Sequence, residues 1–296
     1  MKEFIPLKPM KARRADIEFL RHVSEDNNWA AGEKFDGFRE LWYLGSVHNE
    51  LLSSLGNSHI AKVPQFQTAV PELSGTVLDT EGMSPTRRRE DNASCFKAHP
   101  DSAIPWQQTN GSAFLVAFDV LAYKGRDVTR EQFGSRRVVL EQVVSVLRCH
   151  GYTAQVLQLE KLVFNSKLRH YNTITARTQT EGHEGIILKD MYAPYTPGKR
   201  TNAWMKVKRT EVVVATILGF TSGCGKYKGQ IGSVIFQAAG VEGTASGMDD
   251  HERLQMTQHP ELYIGKQAYF RGLEITDLGA LNNPQYKGLA EKEEQL

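Results

Sequence analysis

One seven-residue stretch, Glu33-Lys34-Phe35-Asp36-Gly37-Phe38-Arg39, constrains this chain more than any other. It sets a lysine beside a carboxylate, a glycine and an arginine. A lysine amine that has lost its proton is a nitrogen nucleophile for phosphorus or carbonyl centres. The glycine permits close backbone approach or a positive φ. The arginine presents a planar fork that matches phosphate or ribose oxygens. The same residues also suit a tight surface turn with a solvated Lys and Asp, so the rest of the chain has to decide. Trp29 to Gly32 leads into the stretch, and Phe38 to Leu44, rich in aromatic and aliphatic residues, reads as a strand. Lys34 is therefore expected at a strand end and turn.

Three more stretches bear on that choice. Gly75 to Gly82 reads as a strand whose alternation puts Asp79 and Glu81 on one face. Two carboxylates so placed suit ribose hydroxyls or a magnesium ion, or a solvated strand end. Glu184-Gly185-Ile186-Ile187-Leu188-Lys189 is a strand with a carboxylate at its start and a lysine at its end. In Trp204-Met205-Lys206-Val207-Lys208, alternation puts Trp204, Lys206 and Lys208 on one face. Two ammonium groups aimed at one place are costly unless an anion binds there, which points to phosphate.

Composition sets the outer limits. With 296 residues the chain can form two domains or one large one, and 40% hydrophobic with 24% charged residues fits a soluble globular protein. The net charge of +2 carries no global argument for nucleic acid. Local basic clusters do, at Arg87-Arg88-Arg89, Lys199-Arg200 and Lys206 to Arg209. Three cysteines without a CxxC pair argue against a disulfide framework or a cysteine zinc site and fit a reducing compartment. The N-terminal residues lack a signal-peptide core, and no apolar run reaches membrane-spanning length. A cytoplasmic, monomeric protein with no membrane partner is the expectation.

The remaining segments fill in an α+β pattern. Arg14 to Glu25 has helical spacing, as do Val138, Val139, Gln142, Val143, Val146 and Leu147 in a helix with Thr129 as N-cap and Gly151 as stop. A further helix is expected within Lys161 to Thr178. Leu51 to Gly56 reads as a strand and turn, and Ala113 to Tyr123 as a buried strand. Ser84 to Gly111 is polar, has three prolines and no clear period, and reads as a long surface loop carrying the arginine run. From Glu211 on, short strands punctuated by glycines surround one short helix that starts after Asp249-Asp250. That texture suits a small β-barrel such as an OB-fold. The expected domains are 1–211 and 212–296.

Taken in order, Lys34 to Arg39, Leu78 to Glu81, Glu184 to Lys189 and Trp204 to Lys208 resemble the ATP-dependent DNA ligase family of the covalent nucleotidyltransferases. Its small two-domain phage, viral and bacterial members are the nearest match, and Phe118-Asp119-Val120-Leu121 is similar to the family's additional aromatic motif. The resemblance implies an α+β adenylation domain of antiparallel sheets with flanking helices, followed by an OB-fold barrel. It implies that Lys34 attacks the α-phosphate of ATP, carries AMP and passes it to the 5′-phosphate of nicked double-stranded DNA, where the 3′-hydroxyl then closes the backbone. A lysine at its ordinary pKa of about 10.4 is neutral only about once per thousand molecules near pH 7.4. Lys206, Lys208 and a magnesium ion, or manganese in its place, would favour the neutral form.

By matching positions, Arg39 and Glu81 meet the ribose, Phe118 stacks on adenine, and Lys206 and Lys208 hold the AMP phosphate. Glu184 holds the metal, with Glu81 as a second candidate. The backbone around Gly32 and Glu33 selects the base. Asp36 and Ser53 lie near the nick, and Arg87, Arg88 and Arg89 contact DNA. Two departures stand out. Ser53-Ser54-Leu55-Gly56 lacks the arginine of the family's Ser-Arg pair. Leu289 or Ala290 replaces the C-terminal arginine that orients pyrophosphate. The alternatives are an RNA ligase or capping-type nucleotidyltransferase, and a nick-binding protein with impaired self-adenylation.

Overall fold

The computed structural model describes residues 7–15, 19, 28–163, 184–208, 211–238, 240–272, 280–281 and 283–290. Most of the helix expected over Arg14 to Glu25, and of the one within Lys161 to Thr178, lies outside those residues. The chain divides into two compact units, Met1–Val207 and Lys208–Leu296.

The first unit holds two sheets. One has the order β1-β11-β10-β2-β9, from β1 (Lys11–Arg14), β2 (Trp29–Glu33), β9 (Leu162–Val163), β10 (Gly185–Asp190) and β11 (Arg200–Lys208). Here β10 and β9 run antiparallel to β2, while β1 runs parallel to β11. The other sheet has the order β4-β3-β5-β6-β7, from β3 (Phe38–Leu44), β4 (Glu50–Ser53), β5 (Thr76–Met83), β6 (Phe114–Tyr123) and β7 (Arg126–Asp127), with β8 (Leu157–Leu159) parallel to β6. Central strands β5 and β6 bury both faces, which is why Ala113 to Tyr123 reads as a nearly continuous apolar run. Trp42, Phe66, Leu78, Phe96, Leu115 and Leu140 belong to one buried cluster beneath this sheet.

Ser84 to Gly111 is not a loop. It forms α1 (Arg89–Phe96) and α2 (Pro100–Asn110). Pro100 occupies the first turn of α2, where its missing N–H costs nothing, and the His99 side chain accepts from the Asp101 N–H. Both helices have mixed polar faces, so no period shows in the sequence, but Cys95, Phe96 and Ala103 are buried. The next helix also starts later than expected. Thr129 donates from both N and Oγ1 to Asp127 Oδ1, at 2.8 and 2.6 Å, and so closes a turn instead of capping a helix. Helix α3 (Phe133–Cys149) starts after Gln132 and ends at His150, ahead of Gly151 with φ +95°.

Its buried face is rotated from the expected one. Val138 and Gln142 face solvent, while Arg136 and Arg137 are buried beside Leu140, Val143 and Leu147. The cause is a carboxylate in β6. Arg136 Nε and Nη2 both bond Asp119, each at 2.8 Å, in a pair with no solvent exposure.

The second unit contains one antiparallel sheet, β14-β13-β12-β15-β16, from β12 (Glu211–Ser222), β13 (Ile231–Ala238), β14 (Val241–Ala245), β15 (Gln267–Gly272) and β16 (Gln285–Leu289). A parallel bridge joins Ser246, just past β14, to Gln285 in β16. Phe236 and Phe270 stack at 4.2 Å in its core. Helix α4 (Asp250–Gln258) begins with a capping box in which Asp249 and Glu252 each bond the other's backbone N–H.

Candidate functional site

Lys34 leaves the end of β2, with its N–H held by the Gly185 carbonyl at 2.9 Å. That bond sets the nucleophile candidate beside the start of β10, and its Nζ contacts Glu184 Oε2. Glu184 and Lys34 are 150 residues apart in sequence, and the antiparallel register Glu33↔Ile186 brings them together. Gly37 is required by close approach rather than by φ: a Cβ there would collide with the Gly82 carbonyl and the Met83 sulfur.

A cavity of about 330 Å³ opens beside Lys34. Both sheets of the first unit line it. Glu33, Ile187, Lys189, Arg200, Trp204 and Lys206 come from the first, with Lys34 and Phe35 just past its β2, and Arg39, Glu81 and Phe118 come from the second. Such a volume with a few convergent polar groups suits a small ligand.

On the second sheet, Arg39 is aimed by a buried network. Asp79 takes both Nε and Nη2, and Tyr195 donates to the same carboxylate at 2.6 Å while accepting from the Met10 N–H at 2.8 Å. The sequence reading left Asp79 available to a ligand. The structure engages it fully, with no exposure. Burial opposes the Arg39 charge, but Asp79 more than offsets it and raises the guanidinium above its usual range. The guanidinium lies 4.6 Å from the Phe118 ring centroid. Glu81 pairs with Arg39 across β5 and β3. Burial pushes its carboxyl up to about 7, against the pull of Arg39 and Lys34. Phe118 packs edge-on to Trp204 at 5.9 Å.

Other expected site residues are placed as follows. Gly32 and Glu33 end β2, and Glu33 lines the cavity. Lys206 lines it too, whereas the side chain of Lys208, at the end of β11, lies outside the described residues. Asp36 is half-buried, its carbonyl accepting from Asn92 Nδ2 at 2.9 Å. Ser53 ends β4, where its Oγ accepts from the Asn57 N–H at 3.1 Å, and it is not among the cavity-lining residues. The arginine run divides. Arg87, at φ +59°, reaches back to Glu33 at 3.6 Å and to Gln158 at 3.3 Å, while Arg88 and Arg89 are exposed at the start of α1.

Among the cavity-wall residues missed from the sequence are Glu160 and Lys189, paired at 2.5 Å. Lys189 was visible as the lysine closing its strand. Nothing in the sequence around Glu160 signals a pocket. Among the described residues no group of three or more His, Cys, Asp or Glu side chains forms a metal site. A magnesium ion held by one or two carboxylates together with substrate phosphates does not need one, and Glu184 and Glu81 fit that donor set.

Residues 9–208 match the family model described as "ATP dependent DNA ligase domain". A probable DNA ligase of Sorangium cellulosum is 28% identical over 96% of this chain and 55% of its own length. A DNA ligase of Methanothermobacter thermautotrophicus is 30% identical over 95% of this chain and 53% of its own. The chain thus spans about half the length of these curated relatives. In fold, it resembles a Lig E DNA ligase at a TM-score of 0.72, with 19% identity and 97% and 100% of the two chains covered. The ligase domain of Mycobacterium tuberculosis LigD gives 0.54, with 20% identity and coverage of 97% and 96%.

Proposed function

This chain belongs to the ATP-dependent DNA ligase family, and from that premise we propose that it seals 5′-phosphate/3′-hydroxyl nicks in duplex DNA through a Lys34–AMP intermediate. One observation carries the proposal: Lys34, Arg39, Glu81, Phe118 and Lys206, drawn from two sheets, line one cavity of nucleotide size. ATP is the nucleotide and nicked double-stranded DNA the partner. The first unit acts as the adenylation domain. The second is an OB-fold, a reading that the parallel bridge from Ser246 to Gln285 supports, since it links the two edge strands of the sheet.

In the first step the neutral Lys34 nitrogen bonds the α-phosphorus, the α–β phosphoanhydride bond breaks, pyrophosphate leaves, and the nitrogen's surplus proton passes to water or to the departing pyrophosphate. Glu184 holds Nζ by hydrogen bond and so aims it. Lys206 neutralises charge that grows on the α-phosphate oxygens. Arg39, fixed by Asp79, and Glu81 hold the ribose, and Phe118 stacks on the base. Glu184 and Glu81 would hold a magnesium ion with the substrate phosphates, and it would supply further charge neutralisation there. In the second step a 5′-phosphate oxygen bonds the AMP phosphorus as the Lys34 P–N bond breaks; the 3′-hydroxyl then bonds the 5′-phosphorus, loses its proton to water, and AMP leaves.

Purified protein incubated with magnesium and radiolabelled ATP or GTP tests this. Acid-stable label should come from ATP alone and vanish in Lys34→Ala. Label from GTP would favour a capping enzyme, and no label from either would favour a binding protein. Labelled protein that fails to seal nicked DNA, or prefers nicked RNA, would remove the DNA ligase reading. The arginine run should separate in the same assays. Arg88→Ala with Arg89→Ala should weaken nick binding and its salt dependence while sparing Lys34 labelling. Arg87→Ala, which removes one cationic partner of Glu33 at the cavity, should also slow labelling.

A further inference from the structure

The cavity wall contains a buried ion pair that none of the roles above uses. Glu160 lies just past β8 and is fixed through its backbone. Its N–H donates to the Ala117 carbonyl at 2.9 Å, and its carbonyl accepts from Arg137 Nη2 at 2.7 Å. Its Oε2 accepts from Lys189 Nζ at 2.5 Å, and both side chains are 2% exposed. Burial raises the Glu160 carboxyl and lowers the Lys189 ammonium, and each opposes the other's shift.

The other carboxylate oxygen, Oε1, has no hydrogen-bond partner among the described residues. It fills the space that a Cβ on Gly32 would need, so a larger residue before Glu33 would have to displace the Glu160 carboxylate. Lys189 Nζ lies over the Phe118 ring, 4.8 Å from its centroid, and over that of Trp204 at 4.7 Å, and one hydrogen bond to Glu160 leaves it further donor capacity. A saturated ion pair would need no ligand. This one keeps an acceptor and a donor side by side in the wall of the cavity, where a ligand can meet them.

We propose that Glu160 and Lys189 read the edge of the nucleobase, with Glu160 Oε1 accepting from the 6-amino group of adenine and Lys189 Nζ donating to the adjacent ring nitrogen. This deepens the nucleotide reading above and rests on it. A 6-oxo purine reverses both signs: its oxygen meets the carboxylate and its ring N–H meets the ammonium. Misplaced partners of this kind are rejected more strongly than a missing methylene, because buried polar groups stay unpaired.

The test is calorimetric binding of AMP and IMP to a Lys34→Met background, in which no covalent AMP occupies the cavity, with and without Glu160→Gln. The background protein should prefer AMP by roughly 100-fold or more. Glu160→Gln is near-isosteric, and its amide can turn an N–H toward a 6-oxo group, so the AMP-to-IMP ratio should fall at least about tenfold. A double variant, Glu160→Gln with Lys189→Met, removes both charges, guards against misfolding from an orphaned ion, and should also flatten the ratio. An equal affinity for AMP and IMP in the background protein, or an unchanged ratio in folded Glu160→Gln, overturns the proposal. If Lys34 of the unaltered protein takes label from ATP while the ratio does not move, base reading falls and the ligase reading stands. If the ratio moves but Lys34 never takes label, the opposite holds.

Discussion

The two sheets that wall the cavity use different cations. On the sheet of β2, β10 and β11 the cavity meets lysines, Lys34 against Glu184, Lys189 against Glu160, and Lys206, beside one arginine, Arg200. The sheet of β3, β5 and β6 presents Arg39, held by two nitrogens on the buried Asp79, and its Asp119 clamps Arg136 of α3 in the same two-nitrogen manner. An arginine keeps its charge and its fork at any working pH, so it serves to position. A lysine is a compact point charge that can shed a proton, so it can become a nucleophile. One sheet is equipped to react and the other to hold.

Lys34→Arg is the most severe test of that division. It keeps the charge beside Glu184 but removes a base that can deprotonate. Label transfer from ATP should fall at least about 1,000-fold, below detection in a gel assay. Residual label at a tenth of normal would mean that charge rather than nucleophilicity is what position 34 supplies.

Next in size, Arg136→Ala strands the Asp119 carboxylate under α3. It should cost about 3–5 kcal/mol in denaturant unfolding, and Arg136→Lys should recover only part of that because it cannot reproduce the fork. A full recovery by lysine would erase the distinction between the two sheets.

The smallest effect concerns Glu81. Its carboxyl is pushed from the ordinary 4.5 up to about 7 by burial. In that case the folded chain binds the proton more tightly than the unfolded chain. Stability is fully present below about 4.5 and is lost as pH rises through about 7. Glu81→Gln should flatten that part of the stability–pH curve by roughly 1–3 kcal/mol. A slope unchanged by the substitution would mean that the carboxylate is already stabilised by Arg39.

Much of the site could be read from the chain because strand periodicity orders side chains locally. The alternation in Trp204 to Lys208 places Trp204 and Lys206 on one face, and both line the cavity. Lys34 at a strand end, and Glu184 at the start of another, follow from the same kind of local pattern. Less visible were α1 and α2, whose mixed polar faces and prolines hide any helical period. The tilt of α3 was also hidden, since Arg136 faces inward only because Asp119 waits in β6.

The order of motifs and the types of residue within them were therefore enough to point to a cavity centred on Lys34 and to the strands that carry it. Which carboxylate meets which cation was decided by the tertiary structure. Asp79 and Glu81 look equivalent along their strand, yet one is engaged by Arg39 and Tyr195 and the other lines the cavity. Glu160 becomes a cavity residue only when Gly32, 128 positions earlier, leaves room for it. The alternation that orders side chains acts over neighbouring residues, whereas the pairing of buried charges is settled by which strands lie side by side.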